Sequence, residues 1–346
     1  MLGRTNHLGR MLRLLFAPSG KDTLTASGGP GTGGRRMGRR VALLAIAALI
    51  LGGIGYAAYA ILTSSPDRDL VEEPTLQPTN KALPTAEEFA RLAEKDPVAL
   101  LEACLRRYES EGIKGFTATL DKQERVKGTL NEREIVRVVC AGELPEKAGE
   151  HPKIRVRMVW ESGFRKILTI KNLGTLYVAG ANKNQMQTYT SYGNEMAIDP
   201  RSSLSRGASR YSITDGGLYR GMLRTYDAWK KRQAAGELNA KYLGIESPAE
   251  VGGRPCYVIR RSCTTPEVDS FALDEAADAK ANPQRDGATE VTAYIDVERW
   301  LHVGTVLKRA DSSLLGHYYF RDVELTRSEF SPDPFTMDAL KAATKK

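Results

Sequence analysis

The chain has 346 residues, 41% hydrophobic and 27% charged, enough apolar material for one large or two small domains. Its net charge of +8 is concentrated at the N-terminus: residues 1–40 hold eight of the 50 Lys/Arg and one of the 42 Asp/Glu, leaving 42 basic against 41 acidic residues beyond. A phosphate-gripping face needs dense positive charge, so the balance past residue 40 speaks against a nucleic-acid partner.

Residues 1–40 read as a disordered basic cytoplasmic tail, because 17–34 are rich in Gly, Ser, Thr and Pro without an apolar period. The stretch from Gly28 to Arg35 superficially looks like a phosphate loop. It lacks the Lys-Ser/Thr pair and a preceding strand, which excludes that chemistry.

Residues 41–62 run without a charge, about 33 Å as a helix at ~1.5 Å per residue, which matches a ~30 Å hydrocarbon core. Arg35, Arg36, Arg39 and Arg40 precede this segment and Asp67, Asp69, Glu72 and Glu73 follow it. The positive-inside rule therefore predicts a single-pass signal anchor in a bacterial inner membrane, with the N-terminus cytoplasmic and the C-terminal domain periplasmic. A start at Met37 with cleavage near Ala58-Tyr59-Ala60 is the alternative, and it exports the same domain. No Cys stands just after the apolar run, which argues against a lipid-anchored lipoprotein. Residues 63–84 hold four prolines and read as an extended tether.

The folded domain is expected over 85–335, with 336–346 as a C-terminal tail. Thr85 and Glu88 form a capping-box pattern, and Asp96-Pro97 restarts a helix whose Leu100, Leu101, Cys104, Leu105 and Tyr108 share one side. From Gly115 the period becomes two: Phe116, Ala118 and Leu120 alternate with polar residues, as do Ile154, Val156, Met158 and Trp160. Further strands are expected at 134–143, 164–171, 174–179, 185–192, 255–263, 290–296, 302–309 and 316–326, with a turn at Lys171-Asn172-Leu173-Gly174. Short consecutive strands imply an antiparallel meander.

One helix interrupts them. Thr214 or Asp215 is the expected cap, and Leu218, Met222, Tyr226 and Trp229 form a stripe opposite Arg220, Arg224, Lys230 and Lys231. Residues 266–289 read as a surface insertion. Cys104, Cys140, Cys256 and Cys263 fall on the oxidising side, where disulfides are permitted. Their pairing is open: Cys256 and Cys263 lie too far apart on one strand to bridge, and four buried unpaired thiols are the other possibility.

No catalytic constellation emerges. His7 is in the tail, and His151, His302 and His317 have no ligand or triad spacing, so neither a metal nor a cofactor is expected. Glu124 is a lone strand carboxylate, read as solvated or ion-paired rather than as a general acid. The stripe has two readings, ordinary core or a lid over an apolar cavity. The second makes Phe116, Leu120, Ile154, Val156, Met158, Trp160, Met222, Tyr226 and Trp229 the cavity lining.

A family resemblance rests on several short motifs: Lys122-Gln123-Glu124-Arg125-Val126, with Gly128 beyond it and the hairpin partner at 132–140, and Leu176-Tyr177-Val178-Ala179-Gly180. The run from Ser209 to Leu218, Gly253-Arg254-Pro255-Cys256-Tyr257-Val258-Ile259, Tyr294-Ile295-Asp296 and the run from His317 to Val323 complete the series. In this order, over roughly 95–335, the chain resembles bacterial exported proteins of the domain of unknown function 1571, which are similar to the lipoprotein-carrier (LolA/LolB-like) fold. The segment from Leu144 to Lys153 departs from that pattern as an insertion. The resemblance implies an α+β fold, a curved antiparallel β-sheet forming an open half-barrel covered by helices. In relatives such a half-barrel accepts lipid or acyl chains, so with the apolar span and no catalytic constellation the expectation is a non-enzymatic, membrane-anchored module for lipid, acyl-chain or lipoprotein-type cargo. The alternative is an extracytoplasmic sensor or protein-interaction domain, partnered by another envelope protein.

Overall fold

The computed structural model describes residues 82–147, 150–163, 166–167, 170–269, 271–273 and 282–345. The expected tail, span and most of the tether lie outside them. No described helix is long and apolar enough to cross a membrane.

The domain opens on two helices. In α1 (Ala86–Lys95) the Thr85 side chain accepts from the Glu88 amide and Glu88 reaches back to the Thr85 amide, so both members of the capping box are made. Helix α2 (Pro97–Ser110) is capped by Asp96 and buries Leu100, Leu101, Cys104, Leu105 and Tyr108.

Strands β1 (Gly115–Val126), β2 (Thr129–Leu130), β3 (Glu134–Ala141), β4 (Arg155–Ser162), β5 (Lys166–Ile167), β6 (Ile170–Val178), β7 (Met186–Thr190) and β8 (Glu195–Ile198) come next. The chain then leaves the sheet through α3 (Ser203–Ala208) and α4 (Leu218–Ala234). It returns as β9 (Asn239–Glu246) and β10 (Cys256–Glu267). A short α5 (Pro283–Asp286), then β11 (Ala288–Asp296), β12 (His302–Lys308), β13 (Leu314–Thr326) and α6 (Met337–Thr344) complete it.

The strand order is β8-β7-β6-β4-β3-β1-β13-β12-β11-β10-β9, antiparallel throughout, with β2 and β5 paired at the side. Two meanders therefore meet where β1 pairs with β13, Leu120 opposite Phe320. The sheet is open, because its end strands β8 and β9 do not pair with each other. The segment carrying α3 and α4 links one edge strand to the other.

Several expectations change. Residues 171–174 are not a turn: β6 runs through them with a register shift between Asn172 and Gly174. A side chain at Gly174 would meet Leu340 and the Met158 carbonyl, so close packing rather than chain reversal explains this glycine. Strands β8 and β9 were not expected, since their short, polar edge sequences carry a weak period-two signal. Within 266–289, expected as a surface insertion, β10 reaches Glu267 and α5 follows Asn282, while 270 and 274–281 lie outside the described residues.

The 336–346 tail contains α6, whose Leu340 is fully buried with Val139, Ala141, Val159 and Leu176. That helix covers the outer face of β4, β6 and the end of β3, so β3 is buried on both sides over Val138–Ala141 rather than half-buried. The main core lies on the opposite face, among α1, α2, α4 and the inward residues of the sheet.

Candidate functional site

Between the inner face of the sheet and α4 lies a cavity of about 580 Å³, within the ~300–1,000 Å³ usual for small-molecule sites. The period of two explains its sheet wall. Leu120, Lys122 and Glu124 follow Phe116 and Ala118 on one face of β1, with Val138 and Cys140 of β3 and Val156, Met158 and Trp160 of β4 beside them.

The helix supplies the other wall, with Leu218 and Trp229 of the expected stripe but without Met222 and Tyr226. Met222 is fully buried and Tyr226 nearly so, both inside the main core. The cavity is faced by Gly221, Arg224, Thr225 and Ala228, about a quarter turn around α4 at ~100° per residue. Small side chains at 221, 225 and 228 leave the space open; a Cβ at Gly221 would have nothing within 4 Å. Of the nine residues expected to line a cavity, Leu120, Val156, Met158, Trp160 and Trp229 do so. Phe116, Ile154, Met222 and Tyr226 pack in the core instead. Arg220 and Arg224, expected on the solvent side of α4, turn inward: Arg220 is 9% exposed and Arg224 stands on the cavity wall.

A buried polar network interrupts the apolar lining. Lys122 Nζ lies 3.0 Å from Glu124 Oε2 and 3.9 Å from Glu134 Oε2. The Tyr318 hydroxyl donates to Glu124 Oε1 at 3.0 Å, and the Trp160 indole donates to Glu134 Oε2 at 2.7 Å. Glu124 is thus ion-paired and 1% exposed, which removes the solvated reading. Trp160 has its ring on the wall and its N–H fixed, so its orientation is locked.

Elsewhere on the wall, His302 on β12 is buried, and desolvation lowers it to about 4, with the Arg224 charge acting in the same direction. Burial also raises Asp215, against the nearby Arg224 and Arg201 charges.

The helix N-terminus is closed from outside. Thr214 and Asp215 belong to a 3-10 turn capped by Ser212, and the N-cap of α4 is Gly217, which offers no side chain. Glu143 takes over, accepting from the Arg220 amide at 3.2 Å and the Tyr108 hydroxyl at 2.9 Å. A side chain at Gly217, where φ is +130°, would collide with that carboxylate. The sequence pattern missed Glu143 because it lies 77 residues from its amide partner, at the edge of the 144–153 insertion.

The four cysteines stand unpaired, Cys104, Cys140 and Cys256 buried and Cys263 half-buried. Burial raises each thiol, Cys256 to about 12 and Cys263 to about 11. Among the described residues no His, Cys, Asp or Glu cluster could hold a metal ion.

No curated protein matches the chain. Among solved structures, the crystal structure of MucB is 14% identical over 69% of this chain, with a TM-score of 0.35. The likeness spans 62% of the MucB chain. A putative outer membrane lipoprotein-sorting protein domain from Vibrio parahaemolyticus is 10% identical, covering 70% of this chain and 97% of its own, with a TM-score of 0.29. A DUF1329 family protein from Desulfovibrio piger is 12% identical, covering 71% and 100%, with a TM-score of 0.33. At scores of 0.35 and below, these likenesses do not bear on what the cavity holds. The family comparison is stronger, matching residues 113–304, more than half the chain, from the start of β1 into β12. The His317 to Val323 motif lies beyond that match. The chain therefore belongs to the family described as Protein of unknown function (DUF1571).

Proposed function

We propose that this chain is a membrane-anchored, extracytoplasmic binding module for hydrophobic cargo of lipid, acyl-chain or lipoprotein type, held in the bacterial inner membrane by residues 41–62. The cavity carries this reading: Leu120, Val138, Val156, Met158 and Trp160 give it a continuous apolar wall, while small residues of α4 keep it open. Strands β7 and β12 would stand about 29 Å apart in a flat sheet at ~4.8 Å per strand, yet both border one cavity. That supports a sheet curved as an open half-barrel around its cargo. Burying an acyl chain of about 14 carbons at ~0.8 kcal/mol per CH₂ supplies on the order of 10 kcal/mol before ordering costs, so affinity needs no catalytic group.

The test is Gly221→Leu. The new side chain enters empty space and removes a helix-interior glycine, which costs roughly 0.5–1 kcal/mol relative to Ala. It is expected to raise the thermal midpoint and to abolish the co-purifying lipid that native mass spectrometry detects on the parent chain. A parent free of lipid that takes up no fluorescent fatty acid would refute the proposal.

A second reading, a sensor or protein-interaction domain without cargo, is favoured by the edge strand β9. Its outer side is unpaired within the sheet and its Ile245 is 55% exposed, a setting that accepts an added strand.

A further inference from the structure

The cations on the cavity wall are not equivalent. Lys122 lies between two glutamates, Lys231 pairs with Asp227 at 2.7 Å, Arg232 with Glu267 at 3.4 Å, and Arg261 also with Glu267. Arg210 donates to the Asp286 carbonyl. Arg224 differs from all of these. Its guanidinium lies 5.6 Å from the Tyr211 ring centroid and 5.4 Å from that of Phe271, and it makes no hydrogen bond or ion pair with a described residue.

The acids around it are already engaged. Asp215 meets Arg201 at 3.4 Å and Arg220 at 4.0 Å, Asp269 accepts from the Tyr211 hydroxyl at 2.7 Å, and Asp227 and Glu267 are paired as above. Two aromatic faces hold the guanidinium plane in place while its N–H groups stay available, a pre-organised arrangement for a planar or tetrahedral anion. Tyr211 is itself tied to Asp269, so one of the two faces is fixed.

The position of Arg224 relative to the apolar wall gives the anion its context. His302, which senses the Arg224 charge, is on β12, whereas Met158 is on β4. Four strand steps separate β12 from β4 through β13, β1 and β3, about 19 Å measured along the sheet at ~4.8 Å per strand. The cavity thus offers a cation that makes no ion pair with a described residue, its charged neighbour Asp215 being held by Arg201 and Arg220, and on the β4 side an apolar surface.

We propose that Arg224 binds the acidic head group of the cargo, so that the cavity selects anionic acyl amphiphiles over neutral ones of equal chain length. This rests on the cargo reading above and adds the head-group chemistry. A carboxylate and a phosphate monoester can each offer a guanidinium two acceptor oxygens for a bidentate pair, so the chemistry is an acidic head on a single acyl chain.

The experiment uses extracts of cells expressing the full-length chain and three photoreactive probes: a hexadecanoic acid, a hexadecyl phosphate and a hexadecanol. Labelling of peptides from the cavity wall is read by mass spectrometry, alongside the thermal midpoint of each variant. An acidic probe is expected to label at least about ten-fold more than the alcohol, a factor worth ~1.4 kcal/mol. A preference for the acid or for the phosphate then identifies the head group. Arg224→Gln should bring acidic-probe labelling down to the level of the alcohol, with alcohol labelling and midpoint unchanged. Should that variant lose its thermal transition, Arg224→Lys keeps the charge but loses the planar fork, and is expected to retain a weakened preference. Equal labelling by all three probes overturns the head-group inference and leaves the cargo reading intact. A preference that persists in Arg224→Gln overturns the assignment to Arg224, and no cavity labelling by any probe overturns both readings.

Discussion

The Tyr108 hydroxyl of α2 donates to Glu143 Oε2 at 2.9 Å, while the other oxygen of the same carboxylate accepts from the Arg220 amide in the first turn of α4. One buried group therefore joins the helix entering the sheet to the helix covering the cavity. It satisfies a helix N-terminus that Gly217 cannot cap.

This arrangement has a pH signature. Burial pushes Glu143 up from 4.5 to about 7, against the donors that favour its charged form. Between those values the folded chain keeps a proton that the unfolded chain has shed, so this contribution falls as pH rises through 4.5–7. His302 runs the other way: burial lowers it from 6.5 to about 4, so stability gains as pH rises from 4 to 6.5. The two slopes oppose each other between pH 4.5 and 6.5, and the parent is expected to show a shallow profile there. Glu143→Gln should expose the His302 slope, on the order of 3 kcal/mol across its window. Urea unfolding at stepped pH reads this, and a variant profile parallel to the parent's would sink the assignment.

The position of Met222 makes a separate prediction. It is fully buried in the main core rather than on the cavity wall, so Met222→Ala should cost about 2–5 kcal/mol by leaving a void. Fatty-acid uptake per folded molecule should stay within about two-fold of the parent, well under the ~1.4 kcal/mol of a tenfold change. Uptake lost in a variant of undiminished stability would return Met222 to the cavity lining.

Lys122 and Glu124 should behave as a coupled pair. Lys122→Met strands two buried carboxylates and is expected to destabilise by about 3–5 kcal/mol. Adding Glu124→Leu should recover part of that loss. A double-mutant cycle with a coupling below about 0.5 kcal/mol would mean that the network does not act as a unit.

The membrane anchor is tested by protease added to spheroplasts. Digestion is expected to remove the domain beyond Leu62 and to spare the N-terminal tail, as the arginine cluster at 35–40 requires. A protected domain would reverse the orientation.

Local chemistry was readable without coordinates wherever it rested on neighbours in the chain. The Thr85–Glu88 capping box, the Asp96-Pro97 helix start and the alternation through Phe116, Leu120 and Val156 depend on spacings of two to four residues, and these elements stand where those spacings put them. Periodicity also gathered Leu218, Met222, Tyr226 and Trp229 on one side of a helix, because 3.6 residues per turn fixes which residues share a face. It does not fix what that face meets. Only the docking of α4 against α2 and the sheet made Met222 and Tyr226 core, left Leu218 and Trp229 on the cavity wall and turned Gly221, Arg224 and Thr225 toward the cavity. The same holds for Lys122 and Glu124, whose inward side follows from strand alternation but whose burial depends on Tyr318 arriving from β13, 194 residues away. Long-range partners such as Glu143 for α4 and α6 for β3 leave no local signature. Burial of a charge or of a second sheet face is a property of the assembled layers, not of the segment that carries it.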